Sequence, residues 1–325
     1  MTTDPRRNPL ASDTNRCNYL FRSSEVMTSK AAIRNPQPAL RNLQAKLRAY
    51  WTLTKSLQTG LLLVTGLAGY MSARCPLTTW RTLLAVTGSL FLAISGSTVL
   101  NMVYDRDIDR QMKRTCQRPL PAGLVTVKEA LLLGLVLSTL GVGWAFALSP
   151  LYGLVILAGI FFDVVVYTIW LKRRTPWSIV WGGIAGGMPI LAGRVLGSGQ
   201  IDLIGLLLTL AVLLWIPTHI LTFSLKHADD YRRAGVPVFP NTYGEQITRR
   251  VLSLSTAATA LVMLLAAWLI GLRWGYLQAT FALGLVLLGL ALVNVLRNSP
   301  RLNFVLFKTA SLYMLTAMLL IMAGV

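Results

Sequence analysis

The chain has 325 residues, of which 54% are hydrophobic and only 13% charged, about half the charge of a soluble globular domain. Its apolar residues fall in runs of about 20, enough to cross roughly 30 Å of hydrocarbon, and none shows the alternation of a membrane barrel. The net charge of +19 would suit nucleic acid, but no aromatic-interleaved basic patch or nucleic-acid motif accompanies it. Basic residues of membrane proteins gather at the cytoplasmic face, so the pattern predicts an all-α polytopic membrane protein with no nucleic-acid partner.

In chain order, residues 1–36 are polar and read as a disordered N-terminal extension, with Met27 an alternative start to Met1. The extension is Arg-rich, but Asp4, Asp13 and Glu25 argue against a mitochondrial transit peptide. Across 37–55, Leu40, Leu43, Leu47, Tyr50 and Trp51 recur at helical spacing beside Arg41, Lys46 and Arg48, as in a helix lying in the membrane interface. Residues 56–325 then carry nine apolar runs: Leu57–Ala73, Thr82–Met102, Ala130–Leu148, Leu151–Trp170, Ser178–Leu196, Leu203–Leu225, Val251–Leu272, Gly275–Leu296 and Phe304–Val325. With the N-terminus inside, all of the 31 Lys and Arg residues except Arg74, Arg81, Arg194 and Arg273 fall on the cytoplasmic side. That asymmetry supports nine spans and places both long polar loops, Tyr104 to Glu129 and Lys226 to Arg250, on the inner face.

Five of the 12 acidic residues, Asp105, Asp107, Asp109, Asp229 and Asp230, sit in those two loops just past the ends of the second and sixth apolar runs. Asn101, Asp105 and Asp109 are spaced i, i+4, i+8, so a continuing helix would set them in one stripe at about 6 Å intervals. Oxygen ligands in such a row suit Mg²⁺, which takes carboxylates together with water and phosphate oxygens. Lys113, Arg114 and Arg118 follow, cations able to hold phosphate. A solvated loop whose Asp-Arg alternation neutralises itself is the plainer reading of this cluster alone.

The second loop repeats the order of helix end, acids, arginines, paired prolines (Pro119 and Pro121, Pro237 and Pro240) and glycine (Gly123, Gly244). The interval of about 125 residues resembles that of folds built from duplicated halves. Two carboxylate sets on one face point to a diphosphate held through Mg²⁺. Lys172-Arg173-Arg174 lies on the same side, as a positive-inside anchor or a diphosphate clamp. Asp163 and His219 are ionisable groups within apolar runs, where such groups face the bundle interior. Asp163 could pair with a neighbouring helix; His219 could be a heme ligand, an acid/base or a core donor.

Asn101-x3-Asp105-x3-Asp109, followed by Lys113-Arg114-Thr115-x-x-Arg118-Pro119-Leu120-Pro121-x-Gly123, resembles the first signature of the UbiA-type intramembrane prenyltransferases. Three stretches, Tyr104-Asp-Arg-Asp-Ile-Asp109, Trp170-Leu-Lys-Arg-Arg-Thr-Pro176 and Asp229-Asp-Tyr-x-x-Ala-Gly-Val-Pro237, are similar to the protoheme IX farnesyltransferase branch. The likeness runs from about Tyr50 to Arg250 and more loosely beyond. Thr54-Lys55-Ser56-Leu57 stands where that branch has Thr-Lys-Pro-Arg, and Trp215-Ile-Pro-Thr-His219 where it has Trp-Thr-Pro-Pro-His.

The resemblance implies helices around a central cavity capped by the two cytoplasmic loops. Asn101, Asp105, Asp109 and Asp229 or Asp230 would ligate Mg²⁺, and Lys113, Arg114, Arg118, Lys172 and Arg173 would bind diphosphate. Asp105, Asp109 and Lys172 would carry catalysis, and His219 would contact heme. The implied substrates are farnesyl diphosphate and protoheme IX, joined at the 2-vinyl group to give heme O, with heme A synthase as a downstream partner. The implied location is the cell membrane of a prokaryote rather than the mitochondrial inner membrane. The other readings are a UbiA-type enzyme with an aromatic, quinone-precursor or chlorophyllide acceptor, a transporter, and an assembly scaffold.

Overall fold

The computed structural model describes residues 36–75, 78–297 and 299–325; the side chains of 36–43 and of Leu57 lie outside it, as do residues 1–35 and with them Met27 and the expected extension. Among the described residues every regular element is helical. Helix α1 (Pro36–Leu53) precedes the bundle, followed by α2 (Ser56–Ser72), α3 (Trp80–Gln111), α4 (Val127–Leu148) and α5 (Pro150–Ile160). Helix α5 runs directly into a π-helix, Phe161–Leu171. Then come α6 (Ser178–Ser198), α7 (Leu203–Lys226), two short helices in the second long loop, α8 (Ala228–Arg233) and α9 (Phe239–Tyr243), and finally α10 (Glu245–Ile270), α11 (Trp274–Arg297) and α12 (Pro300–Gly324).

Among the described residues eight helical segments are long and apolar enough to cross a membrane, α5 and the π-helix counting as one. The ninth expected span, α2, has 17 residues, about 25 Å at an α-helical rise, the short end of what a bilayer accepts. It sits inside the bundle, packed against α3, α6 and α12. Large apolar side chains such as Leu132, Trp268, Leu285, Leu292 and Leu312 are exposed around the outside. Water would not tolerate so large an apolar surface, whereas lipid solvates it.

Close backbone approach fixes α2 against α6. A Cβ added at Gly193 would lie 1.9 Å from the Gly66 carbonyl oxygen, and one at Gly69 would lie 2.0 Å from that of Ile190. Small residues are what membrane helices use to reach such contact. Helix α1 keeps Trp51 and Leu47 exposed while Ala49 and Leu53 are buried with Val99, Met102 and Leu120. Lys46 reaches Glu129 at 2.5 Å, and Glu129 also closes a capping box with Thr126 at the start of α4.

Two local features position the site. Helix α3 has 32 residues, so it carries the expected acid stripe as regular helix past the end of its apolar run. The π-helix changes which residues share a face. At about 3.6 residues per turn, the nine positions from Asp163 to Lys172 would put the two on opposite sides. At roughly 4.4 residues per turn, the winding of i→i+5 hydrogen bonds, they make about two full turns and align. The bond from the Lys172 amide to the Tyr167 carbonyl, 2.8 Å, has that spacing.

Candidate active site

The α3 stripe is buried at its acids: Asp105 is 2% exposed and Asp109 5%. Lys172 donates to one oxygen of Asp105. The other, Oδ1, is buried with no hydrogen-bond partner among the described residues. Arg118 reaches Asp109 at 2.7 Å, and the Thr115 hydroxyl donates to the Asp109 carbonyl at 2.9 Å, folding the loop back over the helix end. Asp107 points outward and takes a two-pronged bond from Arg173 at 2.6 and 2.7 Å. Arg173 also donates to the Tyr104 carbonyl at 2.9 Å. It therefore braces the loop, while Lys172 is the residue of the basic run that enters the site.

The two long loops meet at one end of the bundle. Ile108 and Met112 from the first pack with Val236 from the second, and Arg114 donates to the Tyr231 hydroxyl at 3.4 Å. Asp230 is buried, accepting from Arg233 and lying 4.0 Å from His227. Asp229 projects outward, its side chain 82% exposed beside Arg232 at 3.2 Å. Lys113 is exposed on the first loop. The arrangement thus gathers Asn101, Asp105, Asp109, Arg114, Arg118 and Lys172 around one chamber and leaves Lys113, Arg173, Asp229 and Asp230 outside its lining.

This polar chamber has a volume of about 660 Å³. Beneath it lies an apolar chamber of about 540 Å³, lined by residues such as Leu90, Ile156, Met188, Val212, Phe307 and Met318. Both volumes fall in the range of small-molecule sites. Lys55, Gln58, Asn101, Tyr167 and Ile220 line both, so the chambers join there. Asp163 and His219 line the apolar one. The imidazole of His219 lies among the rings of Trp215, Phe223 and Phe307, with centroids 5.7, 4.9 and 5.3 Å away. His219 Nδ1 and Trp215 Nε1 are both buried without a partner among the described residues.

Lys55 was missed as a site residue from sequence. Burial, then the nearby cations Arg118 and Lys172, push its ammonium down to about 8. It precedes α2 with φ of 45°, a left-handed conformation that non-glycine residues adopt rarely. The available signal was its place in the Thr54-Lys55 pair, which matches the first half of the branch's Thr-Lys-Pro-Arg. For Lys172 burial works downward too, but Tyr167 and Asp105 outweigh it and hold the ammonium above the ordinary lysine value.

Among the described residues no three His, Cys, Asp or Glu side chains stand close enough to form a closed metal site. Mg²⁺ does not need one, because it binds through one or two carboxylates plus substrate phosphates and water. Two buried carboxylates, one with an unpartnered oxygen, beside the Asn101 amide form a hard-oxygen donor set that fits.

A chamber of carboxylates and cations opening onto an apolar pocket within a membrane bundle suits a ligand with an anionic head and a greasy body. The model of the UbiA prenyltransferase family matches residues 62–317. The chain belongs to that family. It is 45% identical over 214 residues to a protoheme IX farnesyltransferase of Pyrobaculum arsenaticum, covering 65% of this chain and 76% of that protein. Among solved structures, a digeranylgeranylglyceryl phosphate synthase superposes with a TM-score of 0.71 at 19% identity, covering 86% of this chain and 98% of that one. A UbiA homologue of Archaeoglobus fulgidus, bound to GPP and Mg²⁺, superposes with a TM-score of 0.63 at 18% identity, covering 84% and 99%.

Proposed function

We propose that this protein transfers the farnesyl group of farnesyl diphosphate to the 2-vinyl group of protoheme IX, releasing diphosphate and giving heme O. The observation that carries the reading is the junction of two chambers of opposite character. Similarity to protoheme IX farnesyltransferases supplies the acceptor. The diphosphate lies in the polar chamber against Arg114, Arg118 and Lys172, and the isoprenoid chain extends past Asn101 and Tyr167 into the apolar one.

Asn101, Asp105 and Asp109 would hold Mg²⁺, which would supply positive charge against the departing diphosphate. Asp230 supports this cap by fixing Arg233 and the second loop. Lys172 and Arg118 hold the carboxylates in place before substrate arrives and then face the leaving group, as preorganised cations that need not be recruited during the reaction. Lys55 stands at the junction, beside the bond that breaks. The apolar walls keep bulk water from the allylic cation. His219, in its aromatic cluster, contacts the heme through its unpartnered Nδ1.

The protein is a multi-pass membrane protein. We assign it to a prokaryotic cell membrane with the N-terminus and both cap loops cytoplasmic, on the distribution of basic residues, and place heme A synthase downstream of it. The test is to incubate membranes containing the protein with labelled farnesyl diphosphate and heme, and to separate the hemes by chromatography. A labelled, more hydrophobic heme is expected. Label in an aromatic acceptor with none in heme would move the assignment to another acceptor class.

A further inference from the structure

Asp163 has no role in binding the diphosphate, yet its position is costly. It lies at membrane depth in the apolar chamber, where an ionisable side chain needs a reason to be kept. One carboxylate oxygen accepts from the buried Ser97 hydroxyl at 2.6 Å. No ion-pair partner for it exists among the described residues. The π-helix aligns it beneath Tyr167 and Lys172, so it lies on the apolar side of the point where the two chambers join.

The proposed reaction requires a proton acceptor at such a place. When the terminal vinyl carbon of protoheme bonds to C1 of the farnesyl cation, the positive charge moves to the vinyl carbon attached to the macrocycle. Heme O carries a hydroxyl at that carbon. A water oxygen must therefore bond to it, one O–H bond must break, and the proton must leave to a base. The other ionisable groups facing this chamber are His219, held among aromatic rings, and Lys55 and Tyr167 at its mouth. Lys55, as an ammonium, and Tyr167, as a phenol, are poor acceptors.

We propose that Asp163, oriented by Ser97, holds the single water that adds to the heme-bound cation and accepts its proton. The inference rests on the heme-farnesylating reading given above. Asp163 is then a catalytic base and Ser97 a positioning residue, and the base also explains how water enters the product while the chamber excludes it from the earlier allylic cation.

The experiment uses the full chain in membranes, farnesyl diphosphate and heme, with products resolved by mass. In Asp163→Asn, farnesyl transfer continues but the hydroxylated share of farnesylated heme falls about tenfold or more, replaced by an olefin lighter by one water. Asp163→Glu recovers part of the hydroxylated product, and Ser97→Ala shifts the ratio in the same direction by a smaller factor. An unchanged hydroxylated share in Asp163→Asn overturns the proposal, whether total product is normal or reduced, because a structural role alone would lower both products together. If the unsubstituted protein farnesylates no heme, the underlying reading fails first and the proposal falls with it.

Discussion

Two ion pairs at opposite ends of the bundle, each with one buried partner, differ in what they leave unsatisfied. At the end away from the two long loops Arg194 grips both oxygens of Asp202, the closest contact being 2.6 Å, and donates to the carbonyl and hydroxyl of Ser72. Asp202 also caps α7 through the Gly205 amide at 2.8 Å. Its donors and acceptors are turned toward the protein itself, tying α2, α6 and α7 together. At the loop end Lys172 takes one oxygen of Asp105 and leaves the other buried and without a partner among the described residues. An unsatisfied buried carboxylate oxygen is expensive, and Asp105 lines the polar chamber. The first pair is turned inward on the fold; the second is part of the proposed diphosphate site.

Substitutions should separate the two. Asp105→Asn keeps the shape and removes the charge, so product formation should fall about 10³-fold while the protein stays folded in membranes, as checked by heme-product yield beside thermal stability. Lys172→Met should lower turnover about 10²-fold and raise the KM for farnesyl diphosphate, read from initial rates. Arg194→Ala should instead lower stability and spare activity. Breaking a buried pair costs about 3 kcal/mol, seen as a lower Tm, with the activity of the protein that remains folded unchanged.

The Arg194 pair also carries a pH signature. Burial alone would raise the Asp202 carboxyl, but the bonds from Arg194 and the Gly205 amide outweigh it and hold it below the usual carboxylate range. A depressed acid contributes stability above its unfolded value of about 3.9 and loses it as pH falls through the folded value. Acid melting should therefore be blunted in Arg194→Ala.

Smaller effects sharpen the loop end. Lys55 has its ammonium pushed down to about 8, so the charged form disappears as pH rises through that value. If that charge helps hold diphosphate, kcat/KM for farnesyl diphosphate should fall about tenfold on the alkaline side of pH 8, and Lys55→Arg should move the limb upward. A limb unaffected by Lys55→Arg would remove the residue from the site. Least of all, Asp229→Asn should change activity by about twofold or less, since the side chain is solvated beside Arg232, whereas Asp230→Asn should cost more by loosening the cap. Equal effects from both would mean that the second loop rearranges when substrate binds.

Much of this arrangement was legible in the sequence because it follows one helical period. Asn101, Asp105 and Asp109 recur every fourth residue, and α3 carries that spacing unbroken to the membrane surface. The loops could be paired by their shared order of acids, arginines and prolines. What stayed hidden depended on departures from that period or on packing between distant runs. A reader assuming α-helical winding puts Lys172 and Asp163 on opposite faces, and only the π-helix unites them. Sequence likewise gave no means of telling Asp230 from Asp229, because adjacent residues of one type differ only in which way the folded chain turns them. Lys55 was hidden because only the fold sets it at the chamber junction beside Asn101 of α3 and Tyr167 of the π-helix.

The most direct test is a structure of the protein with Mg²⁺ and an unreactive farnesyl diphosphate analogue. The account predicts the diphosphate among Asp105, Asp109, Arg118 and Lys172, with the metal on the free oxygen of Asp105 and the isoprenoid running past Tyr167 toward His219. An analogue whose diphosphate sits elsewhere, with Asp105 still bonded to Lys172 alone, would contradict it.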